Sequence, residues 1–204
     1  MKVVLLDCGD AGDARTGEAA DALRRMIEAG GADVERVVVR ELDVRPCTGC
    51  FGCWTRTPGQ CVIADDARAV AERVIAAEVF AVVTPVAFGS HGSRAKSILD
   101  RLICLVLPHF TRIGGEVHHR PRYERYPHLL ALGTLEQASP EQAALFARLV
   151  ERNAVNLHNP THAVEVVAGD ESPAGAARRL LDGLPEGLLG VETAHGRPRT
   201  EVAA

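Results

Sequence analysis

Short β-branched and apolar runs recur along this 204-residue chain, and each gives way to a stretch with helical apolar spacing. This alternation constrains the fold more than any single motif. A strand followed by a helix before the next strand begins produces a parallel sheet covered by helices. Residues 3–7 (VVLLD) read as a buried first strand. Residues 16–29 carry apolar residues at helical spacing (Ala19, Ala20, Leu23, Met26, Ile27) and stop at Gly30-Gly31. Strand two is expected over 34–40, and a helix from an Asp65-Asp66 cap region through residue 76. Strand three is expected over 79–84, a helix over 93–107, strand four over 128–132 and a helix over 140–157. Strand five follows over 163–167 and a last helix over 173–184. Five such units predict one doubly wound, five-stranded parallel sheet of order 2-1-3-4-5, its crossovers right-handed.

Residues 1–185 are expected to form one domain, with a loose polar tail over 186–204. Two segments break the alternation. One is PCTGCFGCWTRTPGQC over 46–61, which holds four of the six cysteines. The other is a long insertion over 108–127, basic and rich in His, Arg and Tyr.

Composition excludes several function classes. Net charge is −4, no Lys/Arg-rich run occurs and aromatic residues make up 4%, so a nucleic-acid partner is not expected. Arginine outnumbers lysine 21 to 2, a ratio that reads as coding bias. No uncharged apolar stretch reaches the ~18 residues that a membrane span requires, and the first apolar run is too short for a secretion signal. A cytoplasmic protein is expected, and in that reducing compartment clustered cysteines more often mean metal or catalysis than disulfides. A chain of this length folds without such staples.

In doubly wound sheets ligands sit outside the carboxyl ends of the strands, at the point where strand order reverses. Here that lies between strands one and three, so the loops over 8–15, 84–93 and 133–139 are the ones to inspect. The cysteine segment leaves strand two at the same end, which places its thiols beside that crevice. Cys47, Cys50 and Cys53 lie three apart, and Cys61 follows after seven intervening residues. Short spacings let one loop wrap several corners of an iron–sulfur cluster. Structural zinc more often uses two CxxC knuckles set further apart, and a thiol relay or free thiols are further readings. Cys8 and Cys104 read as small buried core residues. Trp54 shields a cluster or packs on the sheet. His118 and His119 are weak candidates for proton transfer, and their segment through Tyr123 suits a subunit interface equally well. His91 invites the same suspicion.

The loop Thr84-Pro-Val-Ala-Phe-Gly-Ser90, continuing to Lys96 and Asp100-Arg101, resembles the flavin-ring loop and following helix of the NADPH-dependent FMN reductase group. The CTGCFGCW…PGQC segment with Asp65-Asp66 resembles the compact cysteine motif of iron–sulfur flavoproteins in that group. The resemblance covers roughly residues 1–167. It implies a flavodoxin-like three-layer sandwich, FMN, a [4Fe-4S] cluster, homo-oligomers (dimer or tetramer) and oxidoreductase activity with a small-molecule or protein electron partner, the donor being NAD(P)H or of the ferredoxin type. Together with location it implies flavin contacts at Thr84, Pro85, Val86, Phe88, Gly89 and Ser93, and cluster ligation by Cys47, Cys50, Cys53 and Cys61; position alone adds Arg15 and Thr16 at the first helix and Gly133 and Thr134 at the end of strand four. Two departures stand out. Asp10 and Asp13 occupy the first loop, where the family has small hydroxyls and amides around the phosphate, and Ala87 replaces a common tyrosine. Either aspartate opposes a phosphate or caps the helix itself. The alternatives are a cluster-bearing electron carrier or redox sensor with a degenerate flavin site, and a plain FMN-dependent NAD(P)H or quinone reductase without a cluster.

Overall fold

The computed structural model describes residues 1–185 and 187–189. In chain order the elements are β1 (Lys2–Asp7), α1 (Ala14–Ala29), β2 (Asp33–Val38), the short α2 (Gly52–Thr55), α3 (Ala67–Ala76), β3 (Val79–Ala87) and β4 (Ser90–His91). They continue with α4 (Ser93–Arg101), β5 (Val106–Ile113), β6 (Glu116–Pro121), β7 (His128–Leu135), α5 (Pro140–Asn156), β8 (His162–Ala168) and α6 (Pro173–Asp182). The main sheet runs β2-β1-β3-β7-β8, all parallel, with β4 folded back antiparallel on β3. This is the order expected from the sequence. The tail expected over 186–204 lies outside the described residues except at 187–189, where Leu188 and Leu189 pack on the core.

The period-two alternation of buried strands divides the core into two layers. Val3 and Leu5 of β1 face α1 and α6, whereas Val4 and Leu6 face the side covered by α3, α4 and α5. α1 starts at its cap Asp13, whose side chain accepts from the Thr16 amide, and ends at Gly30. α5 starts at Ser139 with Pro140 in its first turn.

One expectation is corrected and one segment gains a structure. The helix expected over 93–107 ends at Arg101, and residues 102–105 continue as a 3-10 turn into β5. The insertion over 108–127, set apart from the strand–helix alternation, contains most of a β-hairpin, with Phe110 opposite His119 and Ile113 opposite Glu116. Its turn is Gly114-Gly115, both at positive φ (56° and 86°), as the favoured two-residue hairpin turn demands. β-Branched and aromatic residues on both arms, together with Pro108, prefer strand over a continued helix.

Candidate functional site

The carboxyl ends of β1, β3 and β7 frame an open crevice of about 580 Å³, which sits where the strand order reverses. Asp13, Arg15, Pro85, Val86, Thr134 and Gln142 are among its walls. At the α1 end the polar groups are spent on one another. Asp13 accepts from the Thr16 amide at 3.0 Å and from the Thr16 hydroxyl at 2.6 Å. That hydroxyl also meets the Thr134 hydroxyl at 2.7 Å. Asp10 pairs with Arg94 at 2.6 Å, so its charge is compensated locally. Arg15 has no side-chain partner among the described residues and lines the crevice. It is the cation available there to an incoming anion.

Of the residues expected to contact a flavin, the crevice brings together Arg15, Pro85, Val86 and Thr134. Thr16 and Thr84 are fully buried, and the Thr84 hydroxyl accepts from the Gly92 amide at 3.1 Å. Gly133 lies under Val86 and Phe146, whose atoms would stand 2.6 and 3.0 Å from an added Cβ. Ser93 starts α4 and Gly89 donates its amide to Gln142 at 3.2 Å. Phe88 stands almost wholly in solvent at the tip of the β3–β4 turn, with φ of 52°. The turn needs positive φ at Phe88 and Gly89 together, and a bulky residue held there is a strained conformation of the kind that collects at functional loops. Residue spacing does not report Gln142, which reaches the crevice from α5. His91 is buried on Phe146 with ring centroids 5.0 Å apart. Burial, and secondarily Lys96, pulls its imidazole down to about 4, which makes it a neutral core member at neutral pH.

A second cavity, of about 530 Å³, is lined by Cys47, Cys50, Cys53 and Cys61 together. Trp54, His119, Leu99 and Arg101 are among its other walls. Two positive-φ residues, Gly49 and Phe51, turn the backbone sharply enough to bring Cys47, Cys50 and Cys53 to one space. Cys47 and Cys50 are exposed, Cys61 is half-buried and Cys53 is buried. All six cysteines are free thiols. The amide of Gly52 and the hydroxyl of Thr48 hold the Cys50 thiol below its usual range, while burial and then neighbouring Cys61 push Cys53 up. Among the described residues no three Cys, His, Asp or Glu side chains close into a set that could hold a metal ion. The thiols share a cavity without converging. Cys8 is buried with its pKa pushed far up, chiefly by burial. Burial and the nearby Cys53 and Cys61 raise Cys104 to about 12. Both are protonated core residues.

Trp54 packs between Phe51 and His119 and donates its indole N–H to the Val106 carbonyl at 2.9 Å. It therefore docks the cysteine segment onto the hairpin. His119 continues that stack to Phe110. His118 is buried between Asn156 at 3.0 Å and Glu116 at 3.2 Å and does not line the cavity.

The two cavities share no lining residue. The thiols, expected beside the crevice, line a cavity of their own. The reason lies in the path after β2: Asp43 and Arg45 bond to Asp66 and Asp65 and draw the segment over the α3–α4 face. α4 joins the sites. It follows Gly92, whose amide donates to the Pro85 carbonyl at 2.9 Å, and its last residues, Asp100 and Arg101, enter the thiol cavity. Eight residue steps of helix amount to about 12 Å of axis.

A flavodoxin-like α/β sandwich with an open crevice at its switch point and a separate thiol-lined cavity defines the class. The chain belongs to the family described as NADPH-dependent FMN reductase, whose model matches residues 1–123. It is similar to an iron-sulfur flavoprotein from Methanosarcina thermophila, 29% identical over 101 residues, which are 48% of this chain and 52% of that protein. It is also similar to an iron-sulfur flavoprotein from Archaeoglobus fulgidus, 28% identical over 83 residues, or 41% of this chain and 37% of that one. The match thus spans about half or less of each curated relative. In structure it resembles an NAD(P)H:quinone oxidoreductase from Methanothermobacter marburgensis, with a TM-score of 0.65 at 14% identity over 88% of this chain and 93% of the other. No described helix is long and apolar enough to cross a membrane.

Proposed function

We propose that this chain is an FMN-dependent oxidoreductase of the iron–sulfur flavoprotein type, which moves electrons between a flavin and a [4Fe-4S] cluster to an acceptor that is a small molecule or a protein. The observation that carries the reading is that all four thiols of the cysteine segment line one cavity in a member of an FMN reductase family. The relatives named iron-sulfur flavoprotein support it.

The donor set suits a cluster in its chemistry. Four soft sulfur ligands line one cavity, on a segment whose ends are held by other contacts. Cys47, Cys50, Cys53 and Cys61 would hold it. The crevice suits a flavin at its ring end, where Pro85, Val86 and Thr134 line it. Its anionic end suits a phosphate only after Asp13 leaves Thr16, with Arg15 beside it to receive the charge. When bound, the flavin supplies two-electron exchange with a nicotinamide and the cluster supplies one-electron exchange. The chain's own groups hold, orient and shield them. Arg15 balances the anion, Gln142 fixes the β3–β4 turn through the Gly89 amide, and Trp54 and Phe51 line the thiol cavity. Subunit assembly into a dimer or tetramer belongs to the same reading, with the exposed Phe110 and Val117 of the hairpin as contacts.

One observation favours a second reading, an electron carrier or redox sensor with a degenerate flavin site: the Asp13 carboxylate occupies the α1 donors that a phosphate would use. Protein purified anaerobically separates the two. The oxidoreductase carries extractable FMN and consumes NADH or NADPH when given a quinone or free flavin. A chain with iron and no flavin that leaves both nicotinamides untouched is the carrier. A chain with flavin and turnover and no iron is a plain FMN reductase.

A further inference from the structure

Among the described residues Arg101 is the largest side chain fully buried in the molecule. Placing a guanidinium inside a protein is costly unless its charge and donors are met. Its fork donates to both carboxylate oxygens of Asp65, at 2.9 and 2.7 Å, and Asp65 is itself buried. The same two nitrogens also donate to the carbonyls of Arg45 at 2.8 Å and Ile63 at 3.2 Å. Asp65 closes the ring by accepting from the Arg45 amide at 3.0 Å. Residue 45 lies two positions before Cys47, and residue 63 two positions after Cys61. One side chain from α4 therefore fastens both ends of the segment that carries all four thiols. These four contacts are all to oxygen acceptors.

We infer that Arg101 is the positioning residue of the thiol cavity. It holds the two ends of the cysteine segment at a fixed separation before any inorganic centre is present and supplies a fixed positive charge and an N–H donor to that centre. The inference rests on the cluster reading only for the second half of this statement. The guanidinium, paired with both Asp65 oxygens, stays charged. Its Nε–H is buried with no partner in the structure, and Arg101 lines the same cavity as the thiols. A sulfur atom in that cavity is the acceptor this donor lacks. Hydrogen bonds to cluster sulfurs and nearby positive charge both favour the reduced form. Arg68 donates to the carbonyls of Cys61 and Val62 at 2.7 and 2.9 Å. It steadies one end only and cannot replace the link to residue 45.

Two variants of the full chain test this. Arg101→Lys keeps a charge and loses the fork. Arg101→Met with Asp65→Leu removes both charges together, so no lone ion is left buried. In the metal-free protein, amide hydrogen exchange over residues 45–65 is expected to quicken at least tenfold in both variants, with protection in β1 and β7 unchanged. After anaerobic reconstitution, iron and acid-labile sulfide per chain are expected to fall at least threefold while bound flavin holds. The midpoint potential of the remaining cluster is expected to move negative. Wild-type exchange over 45–65 in both variants overturns the inference. So does loss of protection throughout the sheet in both, which reports a general folding role. If the wild-type chain takes up no iron, the cluster reading fails, and the exchange comparison still decides whether Arg101 positions the segment.

Discussion

The crevice and the thiol cavity are prepared for ligands in opposite ways. At the α1 end of the crevice the groups that could meet a ligand meet each other: Asp13 with Thr16, Thr16 with Thr134, Asp10 with Arg94. At the thiol cavity the ends of the segment are held by Arg101, Asp65 and Arg68 through carbonyl, amide and carboxylate groups. A site whose support is separate from its ligating atoms keeps its shape when empty and leaves those atoms free. A site that spends its own donors must break hydrogen bonds before it binds, and its affinity falls accordingly.

Breaking the support of the thiol cavity should have the largest effect. Asp65→Ala leaves Arg101 buried without its counter-ion, and a urea melt should show about 3–5 kcal/mol of lost stability. A loss below 1 kcal/mol would mean that water reaches the guanidinium.

The crevice side contains a titration with a definite sign. His91 has a folded-state pKa near 4, against a usual value of about 6.5. Because the folded value is the lower one, the unfolded chain takes up the proton first. Stability is then full above about pH 6.5 and declines as pH falls toward 4, by about 3 kcal/mol over that window. His91→Phe should flatten this part of the pH–stability curve, and an unchanged slope would assign it to other groups.

The self-satisfied end of the crevice can be opened. Asp13→Ser keeps a helix cap and removes the negative charge. FMN binding, followed by flavin fluorescence, should tighten about tenfold, or 1.4 kcal/mol, with riboflavin binding unchanged. Equal tightening of both flavins would show that the effect does not act through the phosphate. Thr134→Val removes the hydroxyl that meets Thr16 and should cost about 1 kcal/mol in thermal unfolding, the smallest of these effects.

The layered sheet was legible because its signal is periodic: buried strands and amphipathic helices repeat along the chain, and their order follows. Gly114-Gly115 between two short arms marks the hairpin, but the His/Arg-rich composition of those arms hides the strand pattern. The cap role of Asp13 was legible because its partner is three residues away. The Asp10–Arg94 pair and the Arg101 fastening were not, because their partners lie 84, 56 and 36 residues away. Four thiols in fifteen positions announced a shared space, but its position depends on how Asp65 and Asp66 bond the segment back to the start of α3.

Iron and acid-labile sulfide, counted per chain in anaerobically purified protein, test the central claim most directly. About four of each, lost together when Cys61 is replaced by serine, is the predicted result. A chain that holds FMN, contains no iron and yields all four thiols of the segment to alkylation would contradict it.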